Sequence, residues 1–127
     1  MPPETASGFY PAPAPIEAYG DGGFRFAGMS HRGSLLVLPS GIHVWDVAGA
    51  EQLTAASFSR VFDERDRLEF LLHGTGLTQI FPAPAIRQAF EDAGLGLEAM
   101  STGAAARTFN VLLAEGRKVG AALIAAG

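Results

Sequence analysis

The residues best placed to do chemistry are Gly74, Thr75 and Gly76, then Ser101 and Thr102, then Arg107, Asn110, Glu115 and Arg117. Residues 68–72 and 95–100 have the composition of strands, so His73-Gly74-Thr75-Gly76 and Ser101-Thr102-Gly103 are loops leaving two strand ends. If those strands are neighbours, both loops meet at the edge where open α/β sheets bind ligands. The helix expected after Ser101 would add free N–H groups and a partial positive charge, the chemistry of an anion site. Arg107, about a turn and a half along, would supply the counter-charge, and Thr75 or Asn110 would orient the ligand. Arg117 lies past the other helix end, on the order of 20 Å away, and cannot share the same small anion. Each residue also has an architectural reading. Gly-Thr-Gly suits a turn that needs glycine φ angles, and it lacks the rest of a phosphate-loop motif. Arg107 can bond carbonyls or a carboxylate, and Arg117 suits a helix C-terminus. Thr108 and Asn110 can satisfy nearby backbone groups.

Other constellations are weaker. His31, His43 and His73 lack ligand spacing; His31 and His43 could face each other across a hairpin, but two ligands make no metal site. Ser101, His73 and Asp46 form a triad on paper only, without a nucleophile elbow. Trp45 reads as packing or as a partner anchor, and Glu91-Asp92 as solvation of a helix face. No cysteine occurs, which excludes disulfides and thiol chemistry. No cofactor is expected.

The chain of 127 residues carries nine basic and thirteen acidic groups, a formal charge of −4. That balance argues against nucleic acid as a partner. No apolar run reaches the ~20 residues that span a bilayer, and no secretory signal is visible. A cytoplasmic protein is expected, monomer or homodimer. Residues 1–15 hold five of the eight prolines and read as a disordered Pro/Ala-rich tail; residues 16–127 read as one domain.

The elements that must position the candidate residues follow from periodicity. Gly20–Gly23 is a turn and Phe24–Phe26 a short strand, with a bend at Met29–Arg32. Ser34–Leu38 and Ile42–Val47 flank a Pro39-Ser40-Gly41 turn and predict a β-hairpin. Leu53–Phe62 is moderately helical, with Thr54 as its cap. Pro84 opens an amphipathic helix bearing Ile86, Ala89, Phe90 and Ala93 on one face, and Gly94 stops it. Ser101 or Thr102 caps the next helix, whose face carries Ala105, Phe109, Leu112 and Leu113, with Gly116 at its end. Val111 and Ala114 make its other side apolar too. Glu115 is an anion at the negative end of that helix, so a pair with Arg117 or Lys118, or a functional demand, is expected. Residues 119–124 close the sheet. These elements predict an α/β layer with the hairpin as an extension.

Met100, Thr102, the alanines before Arg107, Thr108, Asn110, Glu115-Gly116-Arg117 and Ala121-Ala122-Leu123, with Gly74-Thr75-Gly76, also carry a resemblance. From about Ile16 to Ile124 the chain resembles a small domain family of undefined function that includes an adipogenesis-associated human protein and mitochondrial respiratory complex I assembly factor three. The resemblance implies an α/β, three-layer single domain with a mixed central β-sheet, flanking helices and an appended β-hairpin element. Many relatives carry cysteine near Ala106, so a thiol role there could not operate here. By analogy with the assembly factor, and given no nucleophile–base pair, the expected function is a non-catalytic interaction or assembly protein with a protein partner. The alternative is a small-anion binder or enzyme at the Gly74–Gly76 and Ser101–Thr102 loops.

Overall fold

The computed structural model describes residues 9–126. In chain order its strands are β1 (Phe9–Tyr10), β2 (Ile16–Gly20), β3 (Gly23–Phe26), β4 (Met29–Arg32), β5 (Ser34–Leu38), β6 (Gly41–Trp45), β7 (Phe70–Gly74), β8 (Gly96–Met100) and β9 (Val119–Leu123). The α-helices are α1 (Ser59–Asp63), α2 (Pro84–Ala93) and α3 (Thr102–Ala114). A six-stranded sheet has the order β1-β6-β5-β9-β7-β8, and a second sheet the order β2-β3-β4. The large sheet is mixed: β7 runs parallel to β8 and β9, while β9, β5, β6 and β1 pair antiparallel.

Alternation along the strands divides the interior in two. Val37, Leu72, Ala121 and Leu123 face α3 and the small sheet, with Phe26 and Phe109 fully covered. Leu36, Leu71, Ala122 and Ile124 face the other way, onto Trp45, Phe58, Val61, Ile86 and Phe90. The domain is therefore three-layered around a mixed sheet. α2 opens on Pro84 and ends on Gly94 at φ 68°, as its sequence requires.

Several details differ from the expectations. The β5–β6 hairpin continues the main sheet, and the separate appended element is the three-stranded β2–β4 unit. Met29–Arg32 is its third strand rather than a bend, because Ala27-Gly28 turns the chain with both φ positive (50° and 74°). His31 and His43 sit in different sheets, opposite Phe24 and Leu36 respectively, and do not face each other. The Leu53–Phe62 segment is a 3₁₀ turn, Ala55–Phe58, followed by the short α1. There the Ser57 hydroxyl accepts from Thr54 N–H (3.0 Å) and Ser57 C=O accepts from Trp45 Nε1 (2.8 Å), which diverts that turn from a regular helix. Of the expected tail, residues 1–8 lie outside the described residues. Phe9–Tyr10 pairs with β6, Tyr10 packs edge-on against Phe26 (6.1 Å), and Ala14 is buried, so ordered structure begins before Ile16.

Candidate functional site

The two glycine-bearing loops do meet. β7 and β8 are parallel neighbours, and Gly74 lies opposite Met100 at their carboxyl ends. Thr75 N–H donates to Met100 C=O (2.9 Å), and Thr102 N–H donates to Gly76 C=O (2.8 Å). The Thr102 hydroxyl, fully buried, accepts from Gly76 N–H (2.9 Å) and donates to Ile124 C=O (2.6 Å). The Thr75 hydroxyl lies 2.6 Å from Thr78 C=O and 3.1 Å from Met100 C=O, and accepts from Ile80 N–H (3.0 Å). Ser101 is the N-cap of α3, its Oγ accepting from Ala104 N–H (3.3 Å). These polar groups are spent on one another.

The glycines divide their reasons. Gly76 sits at φ 106°, but Gly74 is glycine because a Cβ there would lie 2.8 Å from Thr102 Cα and 3.0 Å from Leu123 Cδ2. Gly103 makes room for Tyr19: a Cβ would stand 2.6 Å from its hydroxyl. That hydroxyl receives Arg107 Nη1 (2.6 Å), so the exposed arginine reaches a phenol at the first turn of α3.

The other candidates lie elsewhere. Asn110 bonds both backbone groups of Ile16, accepting its N–H at Oδ1 and donating from Nδ2 to its carbonyl (2.8 Å each), and so ties the small sheet to α3. Arg117 pairs with Glu69 rather than Glu115, donating from Nε (3.0 Å) and Nη2 (2.7 Å) to one carboxylate oxygen while Lys118 N–H reaches the other (3.1 Å). The Arg117 bonds hold the Glu69 carboxyl below its ordinary range. Glu115 makes no ion pair among the described residues.

Two constellations escaped the sequence. The Ser40 hydroxyl stands 2.5 Å from Glu64 Oε2 and 2.7 Å from His43 Nε2. A carboxylate only accepts, so the serine proton points to Glu64 and His43 must donate to the serine oxygen. That order is the reverse of an activated nucleophile. Glu64 also holds Ser40 N–H (2.9 Å) and Arg67 (3.0 Å), which makes the group a latch on the β5–β6 turn. The second is apolar. The loop after Gly76 exposes Leu77 and Phe81 (77% each) and Ile80 (47%). It runs beside β8, an edge of the large sheet, and Gln79 Nε2 donates to Ala99 C=O there (2.8 Å). Gln79, Phe81, Phe90, Leu95 and Leu97 border a cleft of about 510 Å³ on that edge. Leucine, isoleucine and phenylalanine in a loop carry no local sign of their exposure, so sequence reading passes over them.

Ser101, His73 and Asp46 are not joined by any hydrogen bond among the described residues: His73 packs edge-on to Trp45 and Phe58, with Nδ1 on Ala122 C=O (3.0 Å). No group of three or more His, Asp or Glu able to hold a metal occurs among the described residues. No helix among them is long and apolar enough to cross a membrane.

Comparison with known proteins gives this geometry its relatives. An uncharacterised Rhodobacter capsulatus protein is 39% identical over 87% of this chain and 83% of its own length. The mouse NADH dehydrogenase [ubiquinone] 1 alpha subcomplex assembly factor 3 is 34% identical over 91% of the chain, which spans 62% of that protein. A Bartonella henselae structure described as an outer membrane protein superposes with a TM-score of 0.89 at 49% identity, over 93% of this chain and 99% of that one. The model of one family, proteins of unknown function DUF498/DUF598, matches residues 16–124, and the chain belongs to that family.

Proposed function

We propose that the protein is a non-catalytic assembly factor acting from the cytoplasm, which holds a subunit of a respiratory NADH dehydrogenase on the face formed by the Leu77–Phe81 loop and the edge of β8. The observation that carries this reading is three large apolar side chains presented beside an edge strand. Exposed apolar patches rimmed by polar groups mark interaction sites, and an edge strand offers backbone groups for strand addition. The relatives named as assembly factors supply the class of partner, since most of this chain aligns with them. An anion at the α3 N-terminus is the weaker reading, because Tyr19 stands over Gly103 and Thr102 already takes the Gly76 N–H.

The test is affinity capture of detergent-solubilised Rhodobacter capsulatus membranes by the tagged chain and by a Leu77→Asp/Phe81→Asp double variant. Enrichment of NADH dehydrogenase subunits by the parent chain, lost in a variant with unchanged circular dichroism, is the expected result. No enrichment by the parent, or equal enrichment by both, overturns the proposal.

A further inference from the structure

The hydrogen bonds of β8 show which of its backbone groups are free. In a parallel ladder, alternate residues turn both N–H and C=O to the same side. Met100 C=O accepts from Thr75 N–H on the β7 side (2.9 Å), whereas Ala99 C=O accepts from Gln79 Nε2 on the other (2.8 Å). Gly96, Glu98 and Met100 therefore face β7, while Leu97 and Ala99 face outward. Just before the strand, Leu95 N–H is taken by Phe90 C=O (3.0 Å). Between that bond and Gln79, Leu97 N–H, Leu97 C=O and Ala99 N–H have no hydrogen-bond partner among the described residues.

These three groups fit a strand of one direction. In a strand parallel to β8, the residue opposite Glu98 donates its N–H to Leu97 C=O and accepts Ala99 N–H at its C=O. Two residues earlier, a carbonyl accepts Leu97 N–H. The next donor would go to Ala99 C=O, where the Gln79 amide already stands, so Gln79 completes the ladder and ends it. An antiparallel strand also matches Leu97, but its residue opposite Ala99 needs the acceptor that Gln79 holds. Side chains follow from the register. Leu97 packs on the α2 side, so the incoming residue opposite it points towards the cleft beside Phe81, Phe90 and Leu95. The residue opposite Glu98 points to the other face, beside an exposed carboxylate that makes no ion pair among the described residues. Cross-strand neighbours of opposite charge attract.

We infer that the occupant of this face is an extended segment running parallel to β8, with an apolar residue in the cleft followed at once by a lysine or arginine on Glu98. Backbone bonds would hold it and the two side chains would select it. The segment rests on the docking face proposed above, but not on which protein supplies it.

The experiment titrates the whole ¹⁵N-labelled protein with acetylated, amidated Thr-Leu-Lys-Thr, with Thr-Leu-Glu-Thr and with the reversed Thr-Lys-Leu-Thr. No membrane subunit takes part, so this result and the capture from membranes can fail separately. The lysine peptide is expected to shift the Leu97 and Ala99 amides and slow their exchange. It should bind roughly three- to tenfold more tightly than the glutamate peptide, and more tightly than the reversed one. Glu98→Lys, a change at an exposed position, is expected to reverse the preference between lysine and glutamate. Equal affinity for the three peptides, preference for the reversed one, shifts confined to other surfaces, a preference unchanged by Glu98→Lys, or no binding up to the solubility of the peptides each overturns the inference.

Discussion

Thr102→Val is the sharpest test of whether the glycine loops are architecture. Valine matches threonine in shape, so the change opens no cavity and removes only the hydroxyl. That hydroxyl serves the buried Ile124 carbonyl and the part-buried Gly76 N–H, at 2.6 and 2.9 Å. A buried group left unpaired costs about 1–3 kcal/mol. The carbonyl should carry the full cost and the amide, which water can partly reach, less. The sum is about 2–4 kcal/mol, a large part of the roughly 5–15 kcal/mol that holds a domain together. Thr102→Ser keeps both bonds and loses one buried methyl, worth about 1 kcal/mol. Urea unfolding should therefore rank the midpoints parent, then Ser, then Val, with an unchanged slope. A valine variant as stable as the parent, or a serine variant as damaged as valine, would refute the reasoning, because the hydroxyl would then not be what joins β7, α3 and β9.

The remaining predictions concern other ties. Asn110→Ala removes both bonds to Ile16; a loss of about 1–3 kcal/mol is expected, with hydrogen exchange of the β2 and β3 amides accelerated more than that of β7. Gly74→Ala should destabilise by about 1–3 kcal/mol through overpacking against Thr102 and Leu123, measurable by thermal unfolding, whereas a glycine needed only for its φ would not meet that contact. Stability should fall as pH drops below 6.5: burial lowers the pKa of His31, His43 and His73, so the unfolded chain takes up protons that the folded chain refuses. His31, whose two ring nitrogens are buried without a well-formed hydrogen bond among the described residues, should contribute to that slope. His31→Leu should flatten it and raise stability at pH 6, as read from urea midpoints across pH.

The elements that announced themselves did so through local rules. Pro84 and Gly94 bracket α2, and the Ala105, Phe109 stripe buries one side of α3, because capping and helical period act within a few residues. Local rules also fail locally: Ala27 at φ 50° makes a turn that no alanine advertises, which is why β4 read as a bend. The candidate site failed for a different reason. Residue type says that Thr102, Asn110, Arg117 and Ser40 will hydrogen-bond but not with what. Their partners lie 22, 94, 48 and 24 residues away in sequence. Reading chemistry from polar residues therefore found the groups that fasten layers together. An unsatisfied group costs free energy, so the polar residues that converge in a fold tend first to satisfy one another. What remains for recognition is what the fold left uncovered: apolar Leu77, Ile80 and Phe81 held in water. These are defined by the absence of a partner, a property of the folded chain that no single residue type encodes.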